Sequence, residues 1–162
     1  MLRLSKKADY ALMAMKHLAL RGDQGSSSAR EIAEQYDIPI ELMAKVLQRL
    51  VRRGLLVSQQ GTRGGYQLSR EPGTITVREV LVVLEGSLAP VGCVDQSGAC
   101  RDEAACTAHA VWAGLHETVL TYLGSYTLAD LVERSSERAS AADDPAPDAT
   151  PEDALASAGA RG

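Results

Sequence analysis

The sequence contains no phenylalanine, and aromatic residues make up only 4% of its 162 positions. It therefore lacks the stacking platform on which single-stranded nucleic acids are usually held. No apolar run approaches the roughly 18 residues that a membrane-spanning helix requires, so no membrane segment is expected. Met1–Lys7 is charged but leads into mixed polar and apolar sequence with no small-residue cleavage site. No secretory signal is read there, and the cytoplasm is the expected compartment. Cysteine is absent outside one window, since Cys93, Cys100 and Cys106 are the only three in the chain. An odd set of clustered thiols is a poor disulfide framework, and in a reducing compartment it reads as a metal or redox site. Neither a phosphate-binding loop nor an acid partner accompanies the thiols, so a Cys-His nucleophile is not indicated and no enzymatic activity is expected.

What is present suits a chain with one principal core: 45% apolar and 23% charged residues in 17.2 kDa. The net charge of −4 conceals a polarity along the chain. Residues 1–72 carry 12 Lys and Arg against 7 Asp and Glu, a net +5, whereas the remainder carries 5 against 14, a net −9. A basic first half can attract a polyanion even though the whole chain is acidic.

The first half reads as a winged helix-turn-helix. Tyr10, Ala11, Met13, Ala14, Leu18 and Ala19 recur at helical spacing, with Ser5 as the expected amino-terminal cap. Ser28-Ala29-Arg30-Glu31 is a capping box, which opens a short second helix to about Tyr36. Asp37-Ile38-Pro39 then breaks the chain, and a third helix follows from about Pro39 to Arg53. In this helix Met43, Val46, Leu47 and Leu50 follow the i, i+3, i+4, i+7 rule and must face a core. Steps of about 100° per residue then place Glu41, Lys45, Gln48 and Arg52 outward, flanked by Arg49. The alternative is an ordinary solvated face with a Glu41–Lys45 pair. Two extended runs, Leu55–Gln59 and Tyr66–Ser69, flank Gly61-Thr62-Arg63-Gly64-Gly65, a hairpin in which glycines supply positive φ and Arg63 sits at the tip. Such a tip can reach phosphate or the minor groove of duplex DNA.

In the second half Thr76-Val77-Arg78-Glu79 is another capping box, and Val77, Val80, Leu81 and Leu84 form the apolar stripe of a fourth helix ending near Gly86. Periodicity then vanishes from Ser87 to about Ala105. This stretch leads into the spacing Cys93-x6-Cys100-x5-Cys106-x2-His109. Three thiolates and one imidazole can close a coordination shell around zinc or an iron-sulfur cluster, and residue type alone does not separate the two. Structural zinc sites usually supply a close C-x2-4-C pair, which is missing here. His17 and His116 lack such company and are expected on helix surfaces. Val111, Trp112, Leu115, Val119, Leu120 and Leu123 form an apolar face large enough to suggest pairing with a second copy, although it could also fold onto its own core. Thr127 is placed to cap a short last helix through Leu128, Leu131 and Val132. Beyond Glu133 the sequence turns Ser-, Ala-, Asp- and Pro-rich, and a disordered acidic tail is expected. The segments are thus a DNA-binding domain over 1–86, a ligand loop over 87–109, a dimerisation helix and short terminal helix over 108–132, and a tail over 133–162.

Together these residues resemble the winged-helix regulators that sense iron-sulfur clusters, of the IscR, NsrR and RirA type, especially the regulators of SUF cluster-assembly operons. The likeness covers Met1 to about Val132. It is carried by Met1–Ala11, by Leu47-x-x-Leu50-x-x-x-Gly54-Leu55, by Gly61-x-x-Gly64-Gly65-Tyr66-x-Leu68, and by the three cysteines before Trp112. The resemblance implies a mainly α fold and a homodimer on a pseudo-palindromic double-stranded DNA operator. It also implies a 2Fe-2S cluster on Cys93, Cys100 and Cys106, with His109 where IscR places its imidazole ligand. Repression of SUF- or ISC-type assembly genes is the expected role, with cluster occupancy setting DNA occupancy. The first cysteine gap is one residue longer than in IscR, and Ala44 stands where IscR has a glutamate. The alternatives are a nitric-oxide- or iron-responsive member with a 4Fe-4S cluster, and a zinc-stabilised transcription factor without sensing.

Overall fold

Helix α1 (Lys6–Arg21) buries Ala8, Ala11, Ala14, Met15 and Leu18, and its three fully covered alanines let neighbouring elements approach closely. In this computed structural model, residues 4–22, 25–61, 64–95 and 106–142 are described. The inward stripe includes Met15 and leaves Met13 40% exposed, so Met13 is not a core residue. Ser5 stands at the cap position but makes no capping bond to its own helix. Its backbone N–H and its hydroxyl instead donate to Glu85 Oε1, at 3.0 and 2.5 Å, tying the start of α1 to the distant residue that ends the fourth helix. A carboxylate accepting two donors outcompetes a single bond to a free backbone amide.

Helix α2 (Ala29–Gln35) begins with the expected box: Ser28 Oγ accepts from Glu31 N at 3.2 Å, and Glu31 Oε2 accepts from Ser28 N at 2.6 Å. Asp37 makes the turn into α3 (Ile40–Arg52) with φ of 51°, and Ile38 N donates back to Ala33 O at 2.9 Å. Aspartate tolerates this left-handed conformation better than most residues. Met43, Val46, Leu47 and Leu50 are all buried.

Strands β1 (Leu56–Gln59) and β2 (Gly65–Leu68) pair antiparallel in the register Leu56 with Leu68 and Ser58 with Tyr66. A single residue extends this hairpin, because Ser27 and Tyr66 exchange both backbone bonds, at 3.1 and 2.8 Å. The two adjoining glycines are required for close approach rather than for positive φ, which belongs to Gly61 at 138°. A Cβ at Gly65 would lie 2.7 Å from the Ser27 carbonyl, and one at Gly64 would lie 2.6 Å from the Gln59 carbonyl oxygen. Among the described residues Ser27 is the one buried polar residue, and its hydroxyl lies 3.2 Å from His17 Nε2. His17 is half-buried and meets Tyr36 edge-on at 5.8 Å, so it is part of the packing rather than a free surface histidine.

Helix α4 (Val77–Glu85) starts from the Thr76–Glu79 box, and Val77, Val80, Leu81 and Leu84 are buried as expected. The following segment is less irregular than its composition suggests. Leu88 and Pro90 are buried, and Gly92–Val94 forms a 3-10 turn that packs against α5 (His109–Gly124). Helix α6 spans Leu128–Ala142 and is not short, since no proline or glycine interrupts the Ala-, Glu- and Arg-containing sequence before Pro145. Its helical course covers the first ten residues of the segment expected as a disordered tail, and residues 143–162 lie outside the described residues. Thr127 and Asp130 form a third reciprocal box, with Asp130 Oδ2 accepting from Thr127 N at 2.7 Å. The starts of α4 and α6 are bridged through Val77 N to Tyr126 O at 2.8 Å and Leu128 N to Ile75 O at 2.9 Å. The chain divides into two compact units, Met1–Val132 and Glu133–Gly162. Among the described residues no helix is long and apolar enough to cross a membrane.

Two consequences are measurable. Gly65→Ala should lower the free energy of unfolding by about 1–3 kcal/mol in urea titration, because its methyl group collides with fixed backbone. Gly73→Ala, where nothing lies within 4 Å, should change it by less than about 1 kcal/mol. Burial holds the His17 imidazole below its ordinary 6.5, the Arg21 charge adds to this, and Glu31 opposes it. The unfolded chain therefore takes up this proton first on acidification. The associated stability is complete above pH 6.5 and is lost as pH falls through the lowered folded value. His17→Gln should remove that part of the pH dependence in urea titrations between pH 7 and 5.

Candidate functional site

The outward side of α3 carries Glu41, Lys45, Gln48, Arg49 and Arg52, all exposed, together with Arg53, which the helical periodicity did not single out. Among the described residues Glu41 and Lys45 form no ion pair. Arg52 Nε donates to the Gln48 carbonyl at 3.4 Å, which lays the guanidinium along the helix. The hairpin stands beside this row. Gln48, Val51 and Arg52 from α3, with Ser58 and Tyr66 from the strands, line a groove of about 440 Å³. Ser58 and Tyr66 were not picked out from the sequence, and the available signal was their place opposite one another in the alternating hairpin. Arg63 lies outside the described residues.

The base of the hairpin is held by charge as well as by packing. Arg70 donates from Nη2 to Glu79 Oε1 at 2.7 Å and from Nη1 to the Thr74 carbonyl at 3.2 Å. Burial pushes the Glu79 carboxyl up, but donors from Arg70 and Thr76 outweigh it and hold the group below its ordinary 4.5. In α2, bonds from the Ser28 backbone and hydroxyl likewise hold Glu31 low.

Of the cysteine segment, residues 87–95 and 106–109 are described. Cys93 is half-buried within the 3-10 turn that packs on α5, Cys106 is exposed, and His109 is half-buried at the first position of α5. His109 N donates to the Cys106 carbonyl at 3.3 Å, so these two donors occupy one turn of backbone as their spacing predicts. Among the described residues no group of three or more His, Cys, Asp or Glu side chains is gathered as if around a metal ion, and Cys100 lies outside the described residues. The donor types, three thiols and an imidazole, suit a soft metal centre.

Helix α5 has no fully buried residue. Leu120 and Leu123 lean on the core and Val119 is half-buried, whereas Val111, Trp112, Leu115 and Tyr122 are exposed. The apolar surface foreseen on this helix therefore folds in part onto its own core, and the rest is exposed.

The Rrf2 family, described as iron-dependent transcriptional regulators, matches residues 4–134. The HTH-type transcriptional regulator IscR of Xenorhabdus nematophila is 34% identical over 132 residues, covering 82% of this chain and 80% of that protein. The structure of T. potens IscR is similar with a TM-score of 0.69 at 30% identity, covering 85% of this chain and 90% of that one. That of CymR, the global cysteine regulator of B. subtilis, has a TM-score of 0.68, also at 30% identity, and covers 83% and 98% of the two chains. With its winged helix-turn-helix fold and its exposed basic helix, the chain belongs to the Rrf2 family of iron-dependent, DNA-binding transcriptional regulators and is not an enzyme.

Proposed function

We propose that this regulator is a homodimeric repressor of SUF- or ISC-type iron-sulfur assembly genes, controlled by a 2Fe-2S cluster on Cys93, Cys100, Cys106 and His109. The observation that carries this reading is the packing of the Cys93 turn against the helix that begins at His109, within the same compact unit that presents α3. The resemblance noted for the cysteine spacing supports the ligand set, and the family description supports dependence on iron. Residues 1–86 act as the reading head, 87–109 as the ligand loop and 108–132 as the dimerisation segment. Lys45 and Gln48 meet base edges in the major groove, Glu41 and Arg49 flank them, Arg52 meets phosphate, and Arg63 at the wing tip meets phosphate or the minor groove.

A bound cluster would supply an iron- and redox-dependent cross-link between the ligand loop and α5. The coupling then runs through groups of this chain. Glu85 precedes the loop and holds Ser5 at the start of α1, while the Thr76–Thr127 bridge fixes the far end of α5 to α4. Ordering the loop biases the placement of α5 relative to the reading head, and so the spacing of two heads in a dimer. The exposed Val111, Trp112 and Leu115 supply the apolar contact for a second copy.

Anaerobically purified protein is expected to show visible absorption with two irons and two sulfides per chain. Its affinity or selectivity for an operator should differ from that of the stripped form. A colourless protein with stoichiometric zinc removes the cluster, 4Fe-4S stoichiometry changes its type, and equal operator binding by both forms removes the sensing. Leu115→Asp should convert a sedimenting dimer to a monomer; a monomeric wild type would contradict the dimer.

A further inference from the structure

The geometry points to the groove between α3 and the hairpin as a seat for one phosphodiester of the DNA backbone, bound by the Arg52 guanidinium and the Ser58 and Tyr66 hydroxyls. This assignment rests on the DNA-binding reading and adds residues that lie off the recognition helix. Ser58 and Tyr66 are direct cross-strand partners, so their side chains share one face of the hairpin, the face that closes the groove over Gln48, Val51 and Arg52. Among the described residues neither hydroxyl has a hydrogen-bond partner, and both retain a donor for a ligand.

Nearby polar groups behave differently. Gln59 Nε2 donates to Gln67 Oε1 at 2.7 Å, and Ser69 Oγ donates to the Gly54 carbonyl at 2.6 Å. Gln59 and Gln67 satisfy one another on the opposite face of the hairpin, while the two hydroxyls lining the groove are left for something outside. Among the described residues no carboxylate lines the groove, one cation does, and Val51 gives an apolar wall. A cation with neutral hydroxyl donors matches the oxygens of a phosphodiester, which only accept hydrogen bonds. A base edge would instead call for paired donors and acceptors.

The seat is also held in place before DNA arrives. Both backbone groups of Tyr66 are bonded to Ser27, and Gly65 fits against the Ser27 carbonyl with no room for a side chain. Little ordering is left to be done at this point on binding.

The test uses the full chain, cluster-loaded and stripped, and a duplex recovered by the wild type from a random-sequence library. Tyr66→Phe and Ser58→Ala should each weaken binding about tenfold, the effect of losing one hydrogen bond to a charged acceptor. Base preference and the slope of log affinity against log salt should be unchanged, because neither residue is charged. Arg52→Ala should weaken binding and also reduce that slope by about one. Replacing single phosphates by uncharged methylphosphonate should reveal one position that matters to the wild type and much less to Tyr66→Phe. Wild-type affinity in both hydroxyl variants overturns the seat, as does an altered base preference in either. Ser58→Ala, at an exposed strand position, decides the matter if Tyr66→Phe lowers the melting temperature. A wild type that recovers no duplex in either state overturns the DNA-binding reading itself, an outcome distinct from loss of the seat alone.

Discussion

The burial of Met43, Val46, Leu47 and Leu50 is the constraint from which the working surface follows. Each large apolar side chain removed from water contributes roughly 1.5–3 kcal/mol. Turning α3 by half a revolution would therefore forfeit roughly 6–12 kcal/mol, comparable with the whole stability of a domain this size. The helix has one allowed rotation, and that rotation sends Lys45, Gln48, Arg49 and Arg52 outward. A hydrophobic core that contacts no DNA thus determines which side chains can read it. Helices α1 and α4 and strand β1 supply the other side of that core, and α1 approaches closely because Ala8, Ala11 and Ala14 leave little bulk between backbones.

Around this core the chain uses one device three times. Ser28–Glu31, Thr76–Glu79 and Thr127–Asp130 each satisfy free helix amides reciprocally. The last two sit across from one another on the Thr76–Thr127 bridge, so two helices begin from a shared backbone contact. Because α5 ends just before Thr127, a cap that looks purely local also anchors the helix leading away from the cysteine segment. Ser5 follows a different course: its donors go to Glu85, converting a helix end into a tertiary tie between α1 and the approach to that segment. The start of the 87–109 stretch is in this way tied to α1 through Glu85, and its end is linked to α4 only through the length of α5, a continuous path of the kind that any signal between them requires.

Elements governed by neighbours in sequence were legible before any coordinates. The third helix, the hairpin, two capping boxes and the turn at Asp37 all depend on contacts within a few residues, and their boundaries fell within one or two positions of those observed. The basic row of α3 was legible for the same reason, since 100° periodicity carries over from the buried face to the exposed one. The groove was not, because Ser58 and Tyr66 meet α3 only after the hairpin has folded back over it. His17 looked isolated for a similar reason: its partners Ser27 and Tyr36 come from other elements. The length of α6 was underestimated because composition suggested disorder, while the helix needed only the absence of proline and glycine up to Ala142.

By itself the sequence determined the order of elements, the rotation of α3, the polarity of charge along the chain and the clustering of the thiols, since each follows from residue type and local period. Tertiary structure alone decided that Gly65 is there for a close approach, that Ser5 serves Glu85, that Met15 rather than Met13 is inside, and that two hairpin hydroxyls face the same groove as Arg52. Those outcomes depend on which surfaces meet across long separations in the chain. A periodic pattern describes one element at a time, whereas the meeting of elements is set by the shape and volume of the packed whole.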